Sequence, residues 1–334
     1  MKRLMRLLTF FLFAICWFNP TPVYSNHSSS AVGLRRMVLP ENMVKGENTL
    51  TQAMMNVENV IYVLQSDYVL GSNITIPSNC VLSFEGGSIS SKGKNTTIIG
   101  QGTVIESSPV RVLDPKIVLS GQWSVDDAFA EWFGIQEGVD ATAVINKALS
   151  VFKKVVLLSN KTYIVNGTIS MTGKQCLRIG HNTTVLKNSN NYDPVISITG
   201  GQNSLLGESK ESVIKSNYLT PYGLISLCDY KDTIWKSTTF YNKIDNITLR
   251  GCETKSSSIQ SIGLRFKHVY REKGLLYAAY YNSFTNLWFE YFNIGVLFKG
   301  DVNGNILRDA VFTYCGTGKY QTDAGITFES DVQY

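Results

Sequence analysis

The stretch NSFTNLWFEYFNIGVLFKGD, Asn282 to Asp301, decides how this chain is read. An asparagine opens it, apolar residues alternate with polar ones, and a glycine leads a second apolar patch ending in Phe298. The same order occurs on both sides. Upstream, Asn242, Ile244, Asn246, Ile247 and Leu249 precede Gly263-Leu264-Arg265-Phe266. Downstream, Asn305, Leu307, Asp309, Ala310 and Phe312 precede Gly325-Ile326-Thr327-Phe328. The shared pattern is N-x-Φ-x-(N/D)-Φ-x-Φ, a variable gap, then G-Φ-x-F. Self-similarity at roughly 20–30 residues marks a solenoid. The short alternation gives its units strand character, and the variable gaps are loops on one face.

The N-terminus reads as an address. Lys2, Arg3 and Arg6 precede an apolar run, Leu7 to Phe18, too short to span a bilayer. Val23-Tyr24-Ser25 places small residues for cleavage after Ser25, so residues 1–25 are read as a secretory signal peptide. Lipidation at Cys16 is disfavoured by the bulky Ile15 before it. The expected location is secreted, periplasmic or at the cell surface, with no transmembrane segment. Losing three basic residues takes the net charge from +5 to +2. That excludes the clustered basic face of a nucleic-acid binder. Charged residues are only 17% of the chain, which leaves a surface suited to neutral polar ligands such as sugars. Solenoid turns that consume Asn, Gly and Ser account for the same composition. Of six cysteines, five lie beyond the leader; an odd number rules out a complete internal disulfide set. His27, His181 and His268 are too scattered to suggest a metal cluster.

Residues 26–50 are polar and read as a linker. Residues 51–125 form a β-rich segment, VIYVL, YVLGSNITIP, CVLSFEGGSI and TTIIGQGTVI among its runs, with turn residues between them. Ala143, Ile145, Ala148, Leu149 and Phe152 then share one face of a helix expected over about 140–153, capped by Asp140 or Thr142. An echo of YVLGSNITIPSNCVL in YIVNGTISMTGKQCL puts the strand–turn module on both sides of that helix. A solenoid's first unit exposes apolar side chains and unpaired edges, which an amphipathic helix can cover.

WFGIQEGVDATAVINKALS followed by VVLLSNKTYIVNGTISM resembles the pectate-lyase-like right-handed parallel β-helix family, which includes rhamnogalacturonase-like hydrolases, polysaccharide lyases and phage tailspikes. Trp132, Phe133, Gly134, Gly138, Asp140, Ile145, Ala148 and Tyr163 carry the resemblance, which covers about residues 123–175 directly. The doubled Asp before the helix is absent, and Ser159-Asn160-Lys161 replaces the usual Pro-x-Gly. The resemblance implies an all-β, right-handed parallel β-helix over residues 126–334, with an N-terminal capping helix and a β-rich preface. It implies a bacterial secreted protein that binds or processes polysaccharide, pectin-like or host glycan, by lyase or glycoside hydrolase chemistry. The alternative is a non-catalytic glycan-binding, adhesin-like or tailspike-derived β-helix.

Equivalent positions on successive coils stack at roughly 4.8 Å. Three inward columns are expected: Ile247, Leu287 and Ala310; Leu249, Phe289 and Phe312; Phe266, Phe298 and Phe328. Asn246, Asn286 and Asp309 are expected to form a polar ladder at a turn. Outward, alignment on the closing Phe sets Asp301 over Asp331, and Lys267 over Lys299 and Glu329. Close carboxylates suit a retaining glycosidase or a Ca2+ site, so Asp301 and Asp331 are the candidate catalytic pair. Solvated turn aspartates would look the same in sequence. Lys299, Glu329, Arg271, Trp288 and Tyr291 are the candidate substrate-binding residues, with Tyr280 and Tyr281 as further sugar-stacking aromatics. Arg178 and His181 have no acid beside them in sequence, and Asp126-Asp127 reads as a turn. No cover follows Phe328, so the reading includes a C-terminally shortened β-helix, or one whose uncapped last coil docks on a partner or another copy.

Overall fold

The computed structural model describes residues 33–92, 95–228, 239–253, 259–267, 279–299, 302–316 and 324–329. Strands form where apolar residues alternate, and they pair in parallel. The exception is the antiparallel pair Met43–Val44 and Glu47–Leu50. One set of strands runs through Lys154–Leu157, Cys176–Ile179 and Ser204–Gly207. A second runs through Thr162–Ile164, Thr183–Lys187 and Ser212–Ser216. Both meet Lys243–Arg250, which pairs with the first through Lys243–Asp245 and with the second through Thr248–Arg250. Ser283–Glu290 and then Ile306–Thr313 stack on it. A separate parallel sheet joins Ile169–Met171, Ile196–Ile198, Ile225–Leu227, Ile262–Lys267, Ile294–Lys299 and Ala324–Glu329. The repeats align as the pattern requires. Ile247 pairs with Leu287 and Leu287 with Ala310, Leu249 with Phe289 and Phe289 with Phe312, and Phe266 with Phe298 and Phe298 with Phe328.

The long strands bend at a single residue. Asn246, Asn286 and Asp309 have φ of 59°, 52° and 54°, a left-handed conformation that Asn and Asp tolerate better than other non-glycine residues. In earlier coils the turn between Ser204–Gly207 and Ser212–Ser216 does the same work with several residues. These three bend residues fall in register as the expected polar ladder at a turn, and a second, hydrogen-bonded ladder lies at the first asparagine of the repeat. Asn242 Oδ1 accepts from Asn203 N and Nδ2 at 2.8 and 2.9 Å, and Asn282 Oδ1 accepts from Asn242 N and Nδ2, both at 2.9 Å. Asn305 Oδ1 continues the line, accepting from Asn282 N at 3.0 Å and Nδ2 at 2.8 Å. The two ladders differ in burial: Asn246 Nδ2 donates to the Gly207 carbonyl at 3.2 Å and Asn286 Nδ2 to Asp245 Oδ1 at 3.0 Å from half-buried and exposed positions, whereas Asn203, Asn242 and Asn282 before the strands are buried. There each side chain satisfies the backbone of the coil below.

The helix occupies Thr142–Val151 and buries Ile145, Ala148 and Leu149. Asp140 holds its start by accepting from Thr142 N at 3.0 Å and Thr142 Oγ1 at 2.5 Å. It packs on Ala130–Phe133, on Lys154–Leu157 and on Ile169–Met171. Trp132 is fully buried between Phe129 and Phe152, both edge-on, at 5.6 and 5.9 Å. One hydrophobic core runs from Leu39 through this helix to Val296. Part of the stretch read as a linker is therefore structured. Arg35–Val38 pairs in parallel with Val60–Leu64, Glu47–Leu50 with Tyr68–Leu70, and Leu39 and Leu50 are buried. Its polar residues are exposed or half-buried on short strands, which is why composition alone did not show them. Residues 1–25 lie outside the described residues. Among the described residues no helix is long and apolar enough to cross a membrane. Cys80, Cys176, Cys228, Cys252 and Cys315 are all free thiols.

One of the fully buried side chains is charged. Thr183, Val185 and Lys187 alternate inward, and Lys187 is fully buried with its ammonium donating to the Asp193 carbonyl. Burial pulls its pKa down to about 8, with the Asp193 charge offsetting part of the fall. The unfolded chain holds that proton to about pH 10.4, so between the two values it binds more protons than the folded one. Stability therefore rises with pH through that window, and the full cost of the buried charge is present below it. Lys187→Met is expected to stabilise the protein by about 1–3 kcal/mol at pH 7. The gap from wild type should narrow at pH 10 in urea unfolding. A variant less stable than wild type at pH 7 would refute this.

Candidate functional site

The outward residues of the bent strands build the site. Because Leu249 and Phe289 point inward, Arg250 and Glu290 point out. Lys215 pairs with Arg250, Arg250 with Glu290 and Glu290 with Thr313, so these four side chains form one column on successive strands. Arg250 Nε donates to Glu290 Oε2 at 2.5 Å. The pair is partly exposed, so it contributes no more than about 1 kcal/mol. Its effect is to fix the orientation of both groups. Beyond the column the chain turns at Tyr291 and Tyr314, with φ of 64° and 55°. Their rings stack at 5.0 Å between centroids and 8° between planes. Gly251 precedes them on the neighbouring coil, where a β-carbon would lie 2.5 Å from the Tyr291 carbonyl and 2.8 Å from the Phe292 ring. Only glycine lets Tyr291 come that close.

Lys215, Arg250, Glu253, Glu290, Tyr291, Thr313 and Tyr314 line an open cleft of about 370 Å3. That is the size of a small-ligand site. The arrangement offers an aromatic face beside a row of charged and hydroxyl groups. An aromatic face takes the apolar CH face of a sugar ring, and the polar row can bond its hydroxyls. Holding a tyrosine in the left-handed conformation costs about 1–2 kcal/mol, so placing two there calls for a reason.

Of the residues singled out from sequence, Tyr291 lines this cleft. Trp288 lies two residues before Glu290 on the same outward face, in register with Thr248 and Val311. Lys299 is not in the cleft; it stands on the other sheet, paired with Lys267 and Glu329 as the alignment required. Asp301, Asp331, Arg271 and His268 lie outside the described residues, and with them the carboxylate pair and its Ca2+ reading. Lys215, Arg250, Glu253, Thr313 and Tyr314 were not legible as site residues. The only local signal was that Arg250, Glu290 and Thr313 end strands of the same repeat.

Arg178 and His181, isolated in sequence, do meet acids in space. Arg178 Nη2 is 2.8 Å from Asp127 Oδ2, and its Nε is 3.7 Å from Glu208 Oε1. Lys154 Nζ reaches Asp127 Oδ1 at 2.6 Å. His181 Nδ1 lies 2.9 Å from Ser209 Oγ and 3.8 Å from Glu211 Oε2. Both hydroxyl and acid address the same ring nitrogen, so the imidazole is not set between a nucleophile and an orienting acid as general-base catalysis requires. The cluster joins the coils electrostatically. Among the described residues no three His, Cys, Asp or Glu side chains gather as metal ligands. No family model matches the chain, and neither a curated protein nor a solved structure does.

Proposed function

We propose that this chain is a secreted right-handed parallel β-helix protein of pectate-lyase-like type, and that it binds polysaccharide through the cleft at Tyr291. The fold reading rests on the three in-register repeats, the parallel sheets and the helix placed before them. The leader motif of residues 1–25 supports export. The observation that carries the function is the stacked, left-handed pair Tyr291 and Tyr314 beside the polar column of Lys215, Arg250, Glu290 and Thr313. The Arg250–Glu290 ion pair favours binding at this cleft, because it holds both groups in place to bond sugar hydroxyls. Lyase or hydrolase chemistry is the second reading. Glu253 and Glu290 both line the cleft, as a two-carboxylate mechanism would need.

The test is calorimetric titration of the mature protein with pectin, galacturonan and glucan oligosaccharides, with parallel assays for unsaturated products and new reducing ends. Tyr291→Ala and Tyr314→Ala are each expected to weaken binding about tenfold, or ~1.4 kcal/mol. Binding without product release favours the non-catalytic form, and product release lost in Glu290→Gln favours the enzyme. An unchanged affinity in the double tyrosine variant, or no binding to any of these glycans, would overturn the reading.

A further inference from the structure

We propose that the cleft at Tyr291 takes a zwitterionic glycan segment, with one uronate carboxylate held at Lys215 and one free hexosamine ammonium held at Glu253. The proposal rests on the glycan-binding reading above and names the chemical class of its ligand. Its basis is how the charges of the cleft are engaged. Lys215, Arg250, Glu253 and Glu290 all line it. Two are cations and two are carboxylates, so their formal charges cancel. Arg250 and Glu290 are paired with each other. Among the described residues, Lys215 and Glu253 make no ion pair or side-chain hydrogen bond, with each other or with any neighbour. Elsewhere on the coils opposite charges do pair: Lys154 and Arg178 with Asp127, and Lys243 with Asp245.

The fold keeps the two unpaired charges apart. Lys215 is half-buried between the fully buried Ile214 and Ser216, so its stem lies against the sheet and its ammonium reaches outward. It is in register with Arg250, and Arg250 with Glu290. The Glu290 carboxylate is therefore two coils from Lys215, and Arg250 already occupies it. Glu253 is exposed and follows Arg250 by three residues on the same coil. Lys215 and Glu253 thus stand one coil apart, roughly 4.8 Å along the stack, and separated by no more than about 10 Å along the chain. That spans adjacent sugar residues, so the acid and the amine belong to neighbouring units of one glycan.

This polarity decides among ligands. A polymer of uronates gains at Lys215 and is repelled at Glu253. A polymer of amino sugars gains at Glu253 and is repelled at Lys215. A neutral glycan displaces water from both charges and gives neither a counter-charge. A segment with one group of each sign forms a charge-assisted hydrogen bond at both ends.

The experiment is titration calorimetry of the mature protein at about pH 6, where carboxylates are ionised and amines protonated. The probe is de-N-acetylated hyaluronan tetrasaccharide, in which glucuronate alternates with glucosamine. Its N-acetylated parent keeps only the acids, a chitosan tetramer keeps only the amines, and cellotetraose carries no charge. The de-N-acetylated form is expected to bind about tenfold tighter than each of the others, with an advantage that shrinks as salt is raised. Glu253→Gln should erase its advantage over the N-acetylated parent, and Lys215→Gln its advantage over the chitosan tetramer. Lys215→Arg and Glu253→Asp keep the charges and should keep the preference, which separates lost charge from lost packing. Tighter binding of the N-acetylated parent or of the chitosan tetramer overturns the two-charge assignment. So does equal binding of all probes, and if Tyr291→Ala and Tyr314→Ala still weaken that binding the cleft stands as a glycan site. No binding of any of these probes also overturns the assignment, and the pectin, galacturonan and glucan titrations then decide whether the cleft itself stands.

Discussion

Asn282→Ala is expected to destabilise the protein by about 3–5 kcal/mol, one of the largest effects of any single side chain. Asn282 is fully buried in the middle of the ladder. Its carbonyl accepts from Asn242 N and Nδ2, and its amide donates to Asn305 Oδ1 at 2.8 Å and to the Thr239 carbonyl at 3.2 Å. Alanine removes all four bonds and leaves their partners on two adjacent coils. Each buried group left unsatisfied costs about 1–3 kcal/mol, softened where Asn242 Nδ2 keeps its bond to the Gly200 carbonyl at 3.1 Å. Urea unfolding should show a lowered midpoint with an unchanged slope. The control is Asn286, a bend residue of the same repeat with an exposed side chain. Asn286→Gly keeps the left-handed backbone accessible and should change stability by less than about 0.5–1 kcal/mol. Equal effects at the two asparagines would show that the ladder has been assigned to the wrong position.

Phe266→Ala should cost about 3–5 kcal/mol, while Phe328→Ala, in the same column, should cost less than about 1 kcal/mol. Phe266 has no exposed surface; it stacks on Phe298 at 4.8 Å and meets Phe284 edge-on at 5.1 Å. Truncating it opens a cavity between rigid neighbours that cannot collapse, because the parallel strands on either side fix their positions. Phe328 stacks on Phe298 at 5.0 Å but is 77% exposed. The column is thus real in register and uneven in energy. Denaturant midpoints of the two variants, measured side by side, decide it. Similar losses at Phe266 and Phe328 would mean that Phe328 is covered in solution.

What the sequence determined by itself was the periodic part. Alternation within Ile244–Leu249, Phe284–Phe289 and Leu307–Phe312, with the closing Gly-Φ-x-Phe, was enough to align the coils and name three interior columns. That signal is legible because inward positions in a parallel stack must be apolar in every copy. The helix was legible for a similar reason, since Ile145, Ala148 and Leu149 share one face. Only the tertiary structure decided which asparagine is buried. Both asparagines recur in every copy or nearly so, and spacing does not encode which of them the neighbouring coils bury. It also decided that Lys187 lies inside, against the charge rule, because the Asp193 carbonyl is there to receive its ammonium. The cleft was hidden for a further reason. Lys215, Arg250, Glu290 and Thr313 become neighbours only after gaps of unequal length are closed and the strands fall into register. Outward positions carry no repeated residue type, so nothing in the chain marks them as a column until the inward side chains have set the stack.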